Sequence, residues 1–105
     1  MSILKDLKNK HKFILEAYEV VATYEFQLQG MGAPALKINI LKDHEGRFTP
    51  CMSRHVQASG AAGPHRPSFN FWPSIEEALH EALTHGLMSY DPKDEGAKWV
   101  ANRYF

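Results

Sequence analysis

Hydrophobic and polar positions alternate between residues 18 and 29. Tyr18, Val20, Ala22, Tyr24, Phe26 and Leu28 fall on one side, and Glu19, Val21, Thr23, Glu25, Gln27 and Gln29 on the other. A period of two sends successive side chains to opposite faces, so the segment predicts a half-buried strand. Leu4, Leu7, His11, Ile14, Tyr18, Val21 and Leu28 also fall at heptad-like spacing, which would carry an N-terminal helix through the same residues. The β-branched and aromatic content of residues 18–26, and the placing of Glu25 on the apolar seam of any such heptad, decide for the strand. Ahead of it, Ser2 as an N-cap and an apolar face of Ile3, Leu4 and Leu7 predict a short helix from Ser2 to Asn9.

After the break at Gly30-Met31-Gly32-Ala33-Pro34, Leu36, Ile38 and Ile40 alternate with Lys37 and Asn39 as a second strand. Asp43-His44-Glu45-Gly46 has the Asp-first, Gly-last order of a hairpin turn. Arg47 to Val56 is expected to return antiparallel, with Phe48, Met52 and Val56 on one face and Thr49, Cys51, Ser53 and His55 on the other. Pro50 lacks an N–H donor and points to an edge position or a bulge. Residues Ser59 to Pro67 offer breakers and no hydrophobic anchor, which predicts a mobile surface loop.

Phe69 to Trp72 reads as a short apolar strand leading into a capping box, with Ser74 as cap and Glu77 reaching back to it. Ile75, Ala78, Leu79, Ala82, Leu83 and Leu87 form the buried stripe of the helix that follows, and Gly86 suits its C-terminal cap. Residues 97–105 fit either period: Ala97, Val100, Ala101 and Tyr104 match a helix, Trp99, Ala101, Arg103 and Phe105 a strand. An extended or irregular tail is the expectation. The elements assemble into an α+β fold, an antiparallel three- or four-stranded β-meander with an N-terminal helix and a C-terminal helix packed on one sheet face, a two-layer sandwich.

With 105 residues and 44% hydrophobic content, the chain supports one core, hence a single domain over residues 1–105, as a monomer or a homodimer. No apolar run approaches the roughly 20 residues of a membrane span. The first residues lack the order of a secretory signal. Cys51 is the one cysteine, so no internal disulfide can form. These features predict a cytoplasmic protein with no membrane partner.

The formal net charge is zero, but its distribution is uneven. Lysines crowd the N-terminus, carboxylates follow Trp72, and Arg47 through Ile75 contains no Asp or Glu at all. Six histidines raise the question of a metal. His80 and His85 are five apart, on different sides of a helix, and Glu77-Ala78-Leu79-His80 is a single copy of a motif that di-iron sites use twice. Glu77, His80, Glu81 and His85 therefore read as a solvated helix face with a weak Glu81–His85 pair, and neither a metal nor a cofactor is expected. On one straight strand Cys51 and His55 would lie about 13 Å apart, too far for proton transfer. Neither a Gly-x-Ser-x-Gly nucleophile nor a phosphate loop is present, so no catalytic residue is assigned.

What remains is the acid-free stretch, where Arg47, Arg54, His55, His65 and Arg66 are interleaved with Phe48, Phe69, Phe71 and Trp72. Arginine beside aromatics suits protein hot spots and single-stranded nucleic-acid platforms alike. Arg47, Arg54, His55, His65, Arg66 and Trp72 are the candidate partner-binding residues, with a protein favoured over nucleic acid because the net charge is zero. The run Phe71-Trp72-Pro73-Ser74-Ile75-Glu76-Glu77-Ala78-Leu79 resembles the strand-to-helix ending of small accessory proteins of bacteria and their phages. Some of those are inhibitors of host complexes, which implies a binding protein and assigns no residue a role. The expected function is a small non-enzymatic interaction or regulatory protein. A nucleic-acid-binding protein is the alternative and a small enzyme the third reading.

Overall fold

The computed structural model describes residues 3–32 and 35–105. The proposed cap at Ser2 and the Ala33-Pro34 step of the break lie outside the described residues. The elements run α1 (Ile3–Lys10), β1 (Tyr18–Phe26), β2 (Leu36–Asp43), β3 (Phe48–Met52), β4 (Arg54–Gln57), α2 (Ile75–Gly86) and β5 (Lys98–Ala101). Together they form a small α+β domain with antiparallel sheets and two helices. No helix of the described residues is long and apolar enough to cross a membrane.

Residues 18–26 are a strand, but not the half-buried one expected: Ala22 and Phe26 are partly buried, while Tyr18, Val20 and Tyr24 are exposed. The pairs Phe26–Leu36, Tyr24–Ile38 and Ala22–Ile40 join β1 to β2, with a bulge between Val20 and Ala22. β2 occupies the centre of a three-stranded sheet in the order β1-β2-β3. Leu36, Ile38 and Ile40 point to one face and are wholly buried with Met52, Ala78 and Ala82. Each such Leu or Ile contributes about 1.5–3 kcal/mol on burial. The small side chains of Ala78 and Ala82 let the axis of α2 approach the sheet closely, while Ile75, Leu79, Leu83 and Leu87 pack around that contact.

Gly86 belongs to the same packing and does not cap the helix end. It is the buried last residue of α2 with no left-handed φ, and a Cβ there would strike the Met52 thioether. Leu87 is the cap residue. At the other end Ser74 Oγ accepts from the Glu77 N–H at 3.1 Å and donates to the Glu77 carboxylate at 3.0 Å. The cap is therefore closed by the hydroxyl in both directions, whereas a capping box would use the Ser74 backbone N–H.

The expected return strand from Arg47 to Val56 is broken at Ser53. β3 continues the first sheet and forms its edge, with Pro50 opposite Ile40, where the missing N–H is tolerated. β4 leaves that sheet and pairs antiparallel with β5 through Arg54–Ala101, His55–Val100, Val56–Trp99 and Gln57–Lys98. The C-terminal segment is thus a strand over residues 98–101, drawn out by a partner that periodicity alone could not identify. The expected strand at Phe69 to Trp72 shrinks to one bridge, in which Phe48 and Trp72 exchange backbone hydrogen bonds of 2.8 and 2.7 Å.

α1 is amphipathic but buries none of its residues, so α2 is the helix that covers the sheet. Polar contacts hold the N-terminal segment: Glu16 lies 3.9 Å from Lys8 Nζ and 3.2 Å from His44 Nδ1. The radius of gyration is 15.7 Å, against about 13 Å for a compact chain of this length. Ile3, Leu7, Phe13, Leu15, Val20 and Val21 are exposed along this part of the molecule.

The β2–β3 turn is organised by Asp43, which is 2% exposed. Its Oδ1 accepts from the N–H groups of Glu45 (3.0 Å) and Arg47 (2.8 Å), and its Oδ2 takes Arg47 Nε at 3.0 Å and Nη2 at 2.9 Å. Burial pushes the carboxyl pKa up, but the Arg47 and Glu45 N–H groups and the Arg47 charge together bring it below its ordinary value. Asp43→Ala strands these donors at the hairpin, and an unfolding free energy lower by about 2–3 kcal/mol is expected from urea titration. A loss within experimental error would mean that the turn is held by its backbone alone. Ser74→Ala is expected to cost about 1 kcal/mol in the same assay, the usual value of an N-cap. An unchanged midpoint would show that α2 does not depend on it.

Candidate functional site

The departure of β4 from the first sheet opens a cavity of about 480 Å³ between the β3–β4 junction, residues 66–69 and the turn after β5. His55, Arg66 and Arg103 line it, with the Cys51 thiol and the Asn102 amide. Pro50, Met52 and Phe69 supply an apolar wall. No carboxylate is among the lining residues.

Arg66 and Arg103 form no ion pair among the described residues. Arg103 is set by its neighbour, with Nη2 donating to the Tyr104 hydroxyl at 2.8 Å and the guanidinium 4.9 Å over the Tyr104 ring. His55 is 8% exposed, and its Nδ1 has no hydrogen-bond partner. Burial, and then the charges of Arg66 and His65, hold its pKa below the ordinary histidine value.

The backbone frame of the site is well tied. Ser53 N–H donates to the Lys37 carbonyl and Asn102 N–H to the Ser53 carbonyl, both at 2.8 Å, while Asn102 Nδ2 donates to the Met52 carbonyl at 2.8 Å. The 58–68 segment has more anchoring than its composition suggests. Asp94 accepts from the Ser59 N–H at 2.8 Å, Gln57 donates to the Ala61 carbonyl at 2.9 Å, and His65 N–H donates to the Val56 carbonyl at 2.7 Å.

Of the six candidate residues, His55 and Arg66 meet in this cavity. Arg54 begins β4 opposite Ala101, outside the lining and without an ion pair among the described residues. His65 donates from Nε2 to the His85 carbonyl at 3.0 Å and faces a neighbouring hollow of about 250 Å³ together with Trp72, Glu81 and His85. Arg47 stands apart, its guanidinium on Asp43 and 4.8 Å over Phe71. Arg103 and Asn102 are the residues that sequence reasoning missed. Their signal was the strand periodicity of Trp99, Ala101 and Arg103, which would have carried weight had a pairing partner been assigned.

Cys51 and His55 line the same cavity because the chain bends between them, so the separation expected on one straight strand does not hold. Burial pushes the Cys51 thiol pKa up, partly offset by Asn102 Nδ2 at 3.7 Å. At neutral pH it is therefore a thiol and a poor nucleophile. Glu81 and His85 form their i,i+4 pair at 2.7 Å. No three His, Cys, Asp or Glu residues stand close enough to hold a metal ion among the described residues.

No family model matches this chain, and no curated protein or solved structure matches it.

A lowered His55 pKa means that the unfolded chain binds the proton more readily than the folded one. This histidine's contribution is complete above the ordinary value of 6.5 and is lost as pH falls through the lower folded value. Thermal melts between pH 7.5 and pH 5 are expected to show a declining Tm, with a shallower decline in His55→Gln. Equal slopes for the two proteins would mean that His55 is not held neutral by the fold.

Proposed function

We propose that the chain is a non-enzymatic interaction protein that binds a protein partner through the face formed by β4, β5 and residues 58–68. The observation that carries the reading is that Arg66 and Arg103 line one cavity, and Arg54 begins the strand beside it, with no ion pair at any of the three among the described residues. Arginine is the cation of choice at protein interfaces, because its planar fork is weakly hydrated and binds carboxylates in a fixed geometry. His55 stands largely buried behind the cavity, and His65 lines the neighbouring hollow. Arg47 is committed to Asp43 and the Trp72 side chain packs partly buried against the core, so the contact is assigned to the remaining residues.

Catalysis has less support, since the one thiol in the cavity is held protonated by burial. The broader setting of the proposal is a cytoplasmic monomer or homodimer of the accessory or inhibitor type found in bacteria and phages. A nucleic acid is the competing partner. It needs the same arginines, but net charge zero provides no long-range attraction to a polyanion.

Fluorescence anisotropy separates the two. A labelled glutamate-rich peptide is expected to bind, and the double substitution Arg54→Glu, Arg66→Glu to weaken it more than about tenfold, with the thermal midpoint nearly unchanged. The decisive contrary result is a single-stranded oligonucleotide that binds more tightly than the peptide and loses affinity steeply between about 50 and 200 mM salt.

A further inference from the structure

We propose that the cavity between the β3–β4 junction and the turn after β5 is a receptor for one carboxylate group. The donor is an aspartate or glutamate side chain or a terminal carboxylate of the partner. The inference rests on the protein-binding reading above and names the group that this part of the face takes.

Three features of the cavity converge on that chemistry. Arg66 and Arg103 line it from two different segments, and neither has an ion pair among the described residues. Two guanidinium groups flanking one space can grip the two oxygens of a carboxylate with charge-assisted hydrogen bonds. His55 lines the same cavity, is 8% exposed, and keeps an Nδ1 with no partner among the described residues. Buried polar atoms are normally hydrogen-bonded, so this nitrogen is an unmet hydrogen-bonding group in a residue that lines the cavity. The remaining wall, from Pro50, Met52 and Phe69, is apolar and suits the methylenes that carry a carboxylate, or the side chain of a terminal residue.

The same inventory argues against phosphate. No glycine lines the cavity and the N-terminus of α2 opens elsewhere, beside Ser74 and Glu77, so the backbone N–H cradles that gather phosphate are missing. Asn102 is no free donor either, because its amide is spent on the Met52 carbonyl and the Cys51 sulfur.

The test uses the full chain labelled with 15N, observing the Arg66 and Arg103 Nε–H groups and the His55 ring by NMR. Three short peptides are titrated: one with a free C-terminal carboxylate and no acidic side chain, one C-terminally amidated with a single glutamate, and the same amidated peptide with glutamine in its place. At least one carboxylate peptide is expected to shift the Arg66, Arg103 and His55 signals saturably, with the glutamine control at least about tenfold weaker, and which of the two binds names the source. Arg103→Gln is expected to lose about tenfold in affinity. Arg66→Gln, at an exposed residue, provides the same reading if Arg103→Gln perturbs the turn. The proposal is overturned if the glutamine control binds as well as the others, if the shifts map outside the cavity, or if both arginine variants bind like the parent. Tighter saturation by inorganic phosphate would also overturn it. If the glutamate-rich peptide fails while the single carboxylate still shifts these three residues, the protein-partner reading falls and the receptor stands.

Discussion

Both sheets hang on the backbone around Ser53. Its N–H still belongs to the first sheet, donating to the Lys37 carbonyl at 2.8 Å, and its hydroxyl accepts the Lys37 N–H at 2.9 Å. Its carbonyl already belongs to the second, accepting the Asn102 N–H at 2.8 Å. The chain thus turns out of one sheet into another without leaving backbone groups unpaired, which is what makes a bend inside a sheet affordable. Asn102 seals the joint from the other side through the Met52 carbonyl. Loosening this joint would release β4 and β5 together, and with them the wall of the cavity formed by His55, Ala101, Asn102 and Arg103.

That joint also explains which parts of the fold were legible in the sequence. Local signals were read well where they were sufficient. The alternation of residues 18–26 outweighed a competing heptad, the Asp43 to Gly46 turn had its side-chain acceptor in place, and the alanines and leucines of α2 declared its buried face. Serine at 53 carries no such mark. A period-two pattern runs through it from Phe48 to Val56, and only the distant strand 98–101 makes leaving the first sheet favourable. Because that partner fits helix and strand periods equally, neither half of the second sheet could be inferred without the other. The N-terminal helix had the opposite difficulty: its apolar face was plain, but a stripe of Ile3, Leu4 and Leu7 does not say whether a surface exists to cover it.

The candidate site was legible as a stretch and not as a place. Counting charges located an acid-free segment, and two of its members, His55 and Arg66, do share one cavity. Arg47 belonged to the same count but is neutralised by a carboxylate only four residues before it, just outside the segment. A charge census along the chain misses this because it treats a hairpin as a line. Arg103 was missed for the reciprocal reason, since it reaches the cavity from a segment that the census had no cause to join to it.

The cavity's electrostatics favour holding an anion over attacking a substrate. Its positive charge comes from two guanidiniums that cannot give up protons near neutral pH, and, after burial, the Arg66 charge helps keep His55 neutral. A neutral imidazole beside a thiolate precursor would be a base, and Cys51 lines the same space. Yet the thiol's own pKa is raised by burial, and its sulfur is occupied by the Asn102 amide and the Tyr104 carbonyl at 3.7 and 4.0 Å. Nucleophilic cysteines sit where a nearby positive charge lowers the thiol pKa. In this cavity desolvation raises the Cys51 thiol and the Asn102 amide is what offsets it, so the arginines are left to attract a charged group from outside.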